Sequence, residues 1–388
     1  MSMRKGNAMI LIEMKRGFKN IFLWILIAFF LVFNFLSIFE NYAENDKKNE
    51  MSFMHSVMTG TGSSSAKDNQ QKDEIALYSE VEKAYIDYKE QFSTLYDNLD
   101  MMKILKIKEA KTGYKPQGEY KNFIEKNYKK LQKRVEQIKK TNEYEGNFYP
   151  GNIYKTHGFL YGKLKRSLMI QTAIIMMLSV FYLLDYERIN KTRDIVLASK
   201  RGRKVAIDKA VAGIMVGIID SMLLMTLTYV YYFINVPYKN LWNTAVSAVV
   251  MAESRMQMTY PFITFWDMTE RKYFIATVIV MILFIIAVGL CSVGIWFIFE
   301  NSYFSFIFQC IIYLLMMTII TYSWCNFFDV IRLLINPVTL YCTGGGWFME
   351  NDMALSFANN EFYCLMVLFF EMGVLSATGY CKYRRRDK

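Results

Sequence analysis

The sequence predicts an all-α polytopic membrane protein with six transmembrane helices, and three observations carry that prediction. Of its 388 residues, 53% are hydrophobic and 16% aromatic. The apolar residues come in blocks, as they do in membrane chains. Six blocks reach spanning length, roughly 21–39, 168–184, 210–234, 273–299, 303–323 and 362–380, where a helical span needs about 20 residues. The basic residues gather beside those blocks. Of 46 Lys/Arg, 5 lie in 1–19, 8 in 188–209 and 5 in 382–388, whereas 41–166 holds 23 against 18 Asp/Glu. Clusters that flank spans are orientation signals, so the net charge of +11 does not point to nucleic acid. They place 1–19, 185–209 and 382–388 inside, with both termini cytoplasmic. The segments 40–167, 236–272 and 324–360 then face out, with only Arg271-Lys272 set against that orientation.

The elements follow in chain order. Residues 6–18 pattern as an interfacial amphipathic helix, with Met9, Ile10, Ile12 and Met14 toward lipid and Lys15, Arg16 and Lys19 toward head groups. The block at 21–39 is too long for a signal-peptide core and lacks a small-residue cleavage site, so it is expected to be a retained anchor. Residues 59–73 have linker composition. Tyr78, Val81, Tyr85, Tyr88, Phe92, Leu95, Leu99 and Met102 then recur as a heptad seam, and Ile124, Tyr128, Leu131, Val135 and Ile138 form a second. The breaker cluster 111–118 between them predicts an antiparallel helical hairpin, 74–109 against 119–141, standing outside the membrane. Its first arm would be about 50 Å long. The seams suit each other and a second subunit equally. Segment 236–272 carries Asn240, Asn243, Glu253, Arg255 and Pro261 and is too polar to span, so outer interfacial helices are expected. Segment 324–360, broken by Asn336-Pro337 and Gly344-Gly345-Gly346, is expected to be re-entrant.

Enzyme chemistry finds little footing. There is no G-x-x-x-x-G-K-[ST], no H-E-x-x-H and no G-x-S-x-G. His55 and His157 both fall in outer segments, far apart in sequence. None of the six cysteines has C-x-x-C spacing; Cys325 and Cys342 share the outer face, where buried free thiols are preferred over a pair. The chain is therefore expected to bind no metal and no cofactor. Two acids sit inside spans, Asp220 in the third and Glu371 in the sixth. Each has to face the protein interior or water, as a pathway group or as a partner to a neighbouring helix.

The remaining signal is the loop 185–209. It is basic enough to lie inside, yet its centre, Ile195-Val196-Leu197-Ala198-Ser199, is apolar enough to dock. A pure anchor needs no apolar centre. The order Glu187, Ile195 to Ser199, Arg201, Arg203, Lys209, together with Met268-Thr269-Glu270, a span ending Glu300-Asn301-Ser302 and an Arg-Arg-Arg-Asp tail, resembles the permease subunits of ATP-binding-cassette exporters of the type-two (type V) transmembrane fold.

The resemblance covers the whole chain by architecture. It implies an N-terminal elbow helix (6–18), a cytoplasmic coupling helix in the loop, re-entrant outer helices before the last span and an extracellular helical-hairpin domain. The domains would be 1–40 (elbow and first span), 41–166 (the extracellular helical domain) and 167–388 (five spans with the coupling loop 185–209). The implied partners are cytoplasmic ATP-binding-cassette ATPase subunits, which hold the ATP and Mg, a second permease subunit (a homo- or heterodimer) and the lipid bilayer. Coupling would fall to Glu187, Ile195, Leu197, Arg201 and Arg203. The 41–166 insert departs from minimal polysaccharide exporters and resembles Gram-positive systems for efflux of peptides, lipids or antimicrobial compounds. A membrane-anchored sensor or immunity protein, capturing a ligand through the hairpin without ATP, is the alternative.

Overall fold

Where water is absent, each backbone amide needs a partner within its own segment, and a helix supplies one. The apolar blocks obey this. The structure, a computed structural model, describes residues 2–46, 96–113, 115–146, 153–198, 202–236, 238, 241–248, 253–255, 258–260, 262–321, 326–343, 346–350 and 353–385. Six helices are long and apolar enough to cross a membrane: Ile21–Asn41, Thr156–Leu184, Val205–Asn235, Glu270–Phe299, Ser302–Ile320 and Asn360–Arg385.

In order, α1 is Ser2–Phe18, and α2 is Ile21–Asp46. α3 (Met101–Thr112) and α4 (Gly118–Thr141) form the hairpin. The second span runs through α5 (Ile153–Gly158), a π-helical turn Phe159–Leu164, and α6 (Lys165–Leu184). Two short helices follow, α7 (Tyr186–Ile189) and α8 (Arg193–Ala198), then α9 (Val205–Asn235). α10 is Glu270–Phe299 and α11 is Ser302–Ile320. α12 (Phe328–Ile335) and α13 (Thr339–Cys342) precede α14 (Asn360–Arg385).

The second span is the core of the bundle, since 72% of its apolar window is buried; the fifth, at 11%, is the most peripheral. Close helix contact in lipid needs small residues. A Cβ at Gly213 would come within 2.9 Å of the Val180 Cα, joining spans three and two, and one at Gly379 within 2.8 Å of the Gly294 carbonyl, joining spans six and four. A polar clasp ties in the first span. The Asn34 and Gln171 amides exchange two 2.8 Å hydrogen bonds, and Asn34 also donates to Thr228 Oγ1 at 3.2 Å. All three are buried.

Four expectations change. The second span begins about a dozen residues early, at Thr156 rather than 168, because the π turn carries the helix through Lys163, Lys165 and Arg166. The first hairpin arm does not run unbroken from 74 to 109: α3 starts at Met101, where the Asp100 side chain caps the amides of Met102 and Lys103. The seam positions 78–95, the linker 59–73 and His55 lie outside the described residues. The second seam is fully buried, but α3 covers only part of it. Ile263, Val330, Leu333 and Met353 to Leu355 complete its core, so the hairpin lies on the end of the bundle. In 236–272, the described residues before Glu270 hold turns and a two-stranded antiparallel ribbon, Glu253–Arg255 with Met258–Tyr260, rather than helices. There the chain pairs with itself, Val246 N–H to Met268 O at 2.9 Å and Glu270 N–H to Thr244 O at 2.9 Å. Cys342 is a free thiol, whose pKa burial raises; Cys325 lies outside the described residues.

Candidate functional site

The loop joining spans two and three folds because its turns have local partners. Asn190 Nδ2 donates to Tyr186 O at 2.8 Å, Lys191 takes the left-handed conformation (φ 57°), and Thr192 N–H closes on Glu187 O at 2.8 Å. α8 then starts at Arg193. Three sets of charged contacts hold this assembly to the bundle.

The first set joins it to α1 and α9. Lys209 is buried; it pairs with Glu187, donates to Leu183 O at 3.1 Å and stands 3.8 Å from Glu13. Arg16 pairs with Glu13 at 2.7 Å and lies 3.9 Å from Glu187. Both cations lie over the Tyr186 ring, at 5.0 and 5.3 Å. Two acids and two bases balance, as a buried charge group must. Burial lifts the Glu13 pKa above the ordinary carboxylate value, although Lys209 and Arg16 oppose the rise. In α1 this acid is fully buried, while Ile12 and Leu11 are exposed. Ile10 and Met14 pack on Leu183, Ala212 and Val216.

The second set joins it to the turn between spans four and five. Arg188 Nη1 donates to Glu300 O at 2.9 Å, and Arg193 pairs with the Glu300 carboxylate. That turn is itself well defined: Glu300 has φ 52°, Asn301 Oδ1 caps Tyr303 and Phe304, and Ser302 Oγ donates to Phe181 O at 2.8 Å. The third set joins it to the end of the last span, where Arg203 donates to Tyr383 O with its guanidinium 5.0 Å from the Tyr383 ring. A cavity of about 40 Å³, lined by Glu187, Arg188, Arg193, Val196, Lys209 and Tyr383 among others, lies beneath the loop. That is room for a few waters among polar groups.

The sequence-derived residues thus divide. Glu187 and Arg203 face inward and fix the loop. Ile195 is 73% exposed and projects from α8, with Ile189 also exposed beside it. The side chain of Leu197 and the whole of Arg201 lie outside the described residues. Asp220 is buried in the third span, with Oδ1 lacking a hydrogen-bond partner among the described residues. Glu371 is half-buried in the sixth. Neither reaches the loop's three sets of contacts.

A second polar centre, at the opposite end of the bundle, was not legible in the sequence. His157 is buried against Tyr161, Phe262 and Tyr273, with Nδ1 3.5 Å from the fully buried Glu270 carboxylate. Nearby, Lys165 is buried with its ammonium 3.9 Å from the centre of the Trp347 ring, and the buried Glu361 accepts the Phe348 N–H at 2.6 Å. His157, Tyr161 and Lys165 share one face at steps of four across the π turn, a distortion that clusters at functional positions. Their charges look like ordinary span-flanking residues in sequence, which hid them.

Comparison with protein-family models, with curated proteins and with solved structures finds no match.

Proposed function

We propose that the chain is the permease subunit of an ATP-driven transporter of the ATP-binding-cassette class. In this reading it exports a peptide, lipid or antimicrobial compound, or extracts it from the bilayer, at a bacterial plasma membrane. One observation carries the reading: the loop that presents the short apolar-tipped helix α8 is held by charged contacts to four separate parts of the bundle. It touches α1 and α9 through Glu187, the α10–α11 turn through Arg188 and Arg193, and, through Arg203, the end of α14. A displacement applied at Ile195 has to be shared by all four. A loop that served only to orient spans needs no such frame.

ATP hydrolysis belongs, in this reading, to a separate cytoplasmic subunit that seats Ile195 and Leu197 in an apolar groove, with Arg201 at its rim. Closure of that subunit moves α8, and the frame passes the motion to the bundle. α1 acts as the elbow helix, 185–209 as the coupling loop and the hairpin as an outer domain. A second copy or a related permease completes the pathway.

The test is purification of the chain from its native membrane in mild detergent, with partners identified and ATPase activity measured. A co-purifying subunit with a P-loop, lost in the Ile195→Asp, Arg201→Glu double variant, supports the reading. A preparation with no such subunit and no ATP turnover sinks it and favours a sensor acting through the hairpin.

A further inference from the structure

The hairpin has a second face that the transporter reading leaves unused. In α4 the apolar positions Tyr120, Ile124, Tyr128, Leu131, Val135 and Ile138 are all buried against the bundle end. At about 100° per residue, Lys126, Lys129, Lys130, Lys133 and Lys140 fall within an arc of roughly 100° on the opposite side. All five are exposed. The stripe extends about 21 Å along the helix axis at 1.5 Å per residue.

These lysines differ from their neighbours. Lys121 pairs with Glu125 at 3.8 Å, Lys139 with Asp97 at 3.2 Å and Lys108 with Glu350. The five stripe lysines make no ion pair among the described residues, and Glu136 is the one acid between 126 and 140. A solvated helix face ordinarily alternates its charges, which adds i,i+4 support; here the like charges at 126/130 and 129/133 repel at a small cost. Between 126 and 133 the arrangement therefore costs the helix stability, whereas Lys140, in the last turn, is favourably placed at the helix C-terminus.

We propose that this face docks a linear phosphate-rich polyanion. Three features select that partner. The stripe contains lysine and no arginine. The one two-pronged carboxylate contact given for this helix uses Arg134, which holds Glu143 at 2.9 and 2.5 Å, while Lys121 and Lys139 meet Glu125 and Asp97 by single contacts. Lysine is a hydrated point charge suited to mobile phosphate oxygens, whereas arginine is the fork that fixes a carboxylate. The stripe holds no aromatic side chain, so it offers no stacking platform for bases. It holds no apolar residue either, so nothing on it anchors a peptide side chain. The occupant is recognised by charge density along its length. This inference goes beyond the transporter reading and does not depend on it.

The experiment uses the full chain in nanodiscs of zwitterionic phosphatidylcholine, with long-chain inorganic polyphosphate as the probe and poly-glutamate of matched charge as the comparison. Binding is measured against salt concentration. Five lysines engaging phosphates give a slope of log K on log salt of about −3.5. The Lys126→Gln, Lys130→Gln, Lys133→Gln triple variant, whose changes are all on the exposed face, reduces that slope by about 2. It also weakens binding by about tenfold or more at low salt. An unchanged melting temperature shows that the variant is folded. Absence of polyphosphate binding at low salt, or binding that the triple variant leaves intact, overturns the proposal. Poly-glutamate binding as tightly as polyphosphate overturns the phosphate assignment and moves the face to acidic peptides.

Discussion

The position on which most of the loop's geometry depends is Lys209, one ammonium shared by Glu187, Glu13 and the Leu183 carbonyl. The sequence put Lys209 in place at the mouth of the third span, but not its partner in α1, because nothing local links residues nearly two hundred positions apart. Glu13 in turn lies within the amphipathic pattern of residues 6–18, where one more charge carries no signal of its own. Removing one partner of a buried charge group leaves the others uncompensated, at a cost of about 3–5 kcal/mol. Lys209→Met is therefore expected to lose about 3 kcal/mol of stability near neutral pH. The sign with pH follows from Glu13. Its folded pKa is raised, so its contribution to stability is present below the unfolded value and is lost as pH rises through the folded value. Lys209→Met should thus recover part of its loss as the medium is acidified into the carboxylate range. Unfolding of both proteins in detergent across pH checks this; a deficit that does not shrink with acidification contradicts it.

At the scale of elements, the hairpin shows where pattern reading succeeds and where it stops. The second seam was legible because its 4,3 spacing is a local property, and all five of its residues are buried. What covers it was not legible, since Ile263 and Leu355 come from irregular segments and Val330 from a short helix nearly two hundred residues further along the chain. The ribbon was missed for a related reason: its strands, Glu253–Arg255 and Met258–Tyr260, are three residues each, too short for a period to show. Arg134 fastens the hairpin, reaching Thr264 O at 3.2 Å while it grips Glu143. Burial pushes the Glu143 pKa up, but the hydrogen bonds from Arg134 and Thr141 and the Arg134 charge outweigh it and hold it below the ordinary carboxylate value. A depressed acid stabilises above its unfolded pKa, and that stability is lost as pH falls through the folded value. Amide exchange in α4, corrected for its intrinsic dependence on pH, should accordingly accelerate in the native chain as the medium is acidified through the carboxylate range. In Glu143→Gln it should be fast already at neutral pH and change less on acidification. Equal pH profiles for the two would refute this role.

For the molecule as a whole, length and apolarity located six helices long and apolar enough to cross a membrane, the second of them starting earlier than its apolar block. Their packing order needed three dimensions, because a membrane chain exposes apolar surface to lipid on every span and leaves no amphipathic stripe to follow. In the proposed mechanism α8 is the point where a partner acts on the bundle. The most direct measurement replaces Ile195 with a photo-crosslinking amino acid in cells and identifies what it captures, with and without ATP depletion. Capture of a P-loop subunit is expected, at a yield that changes when ATP is depleted. Capture of lipid alone, or of no protein, under conditions in which the same residue placed at Leu23 or Ile27 cross-links within the bundle, would contradict it.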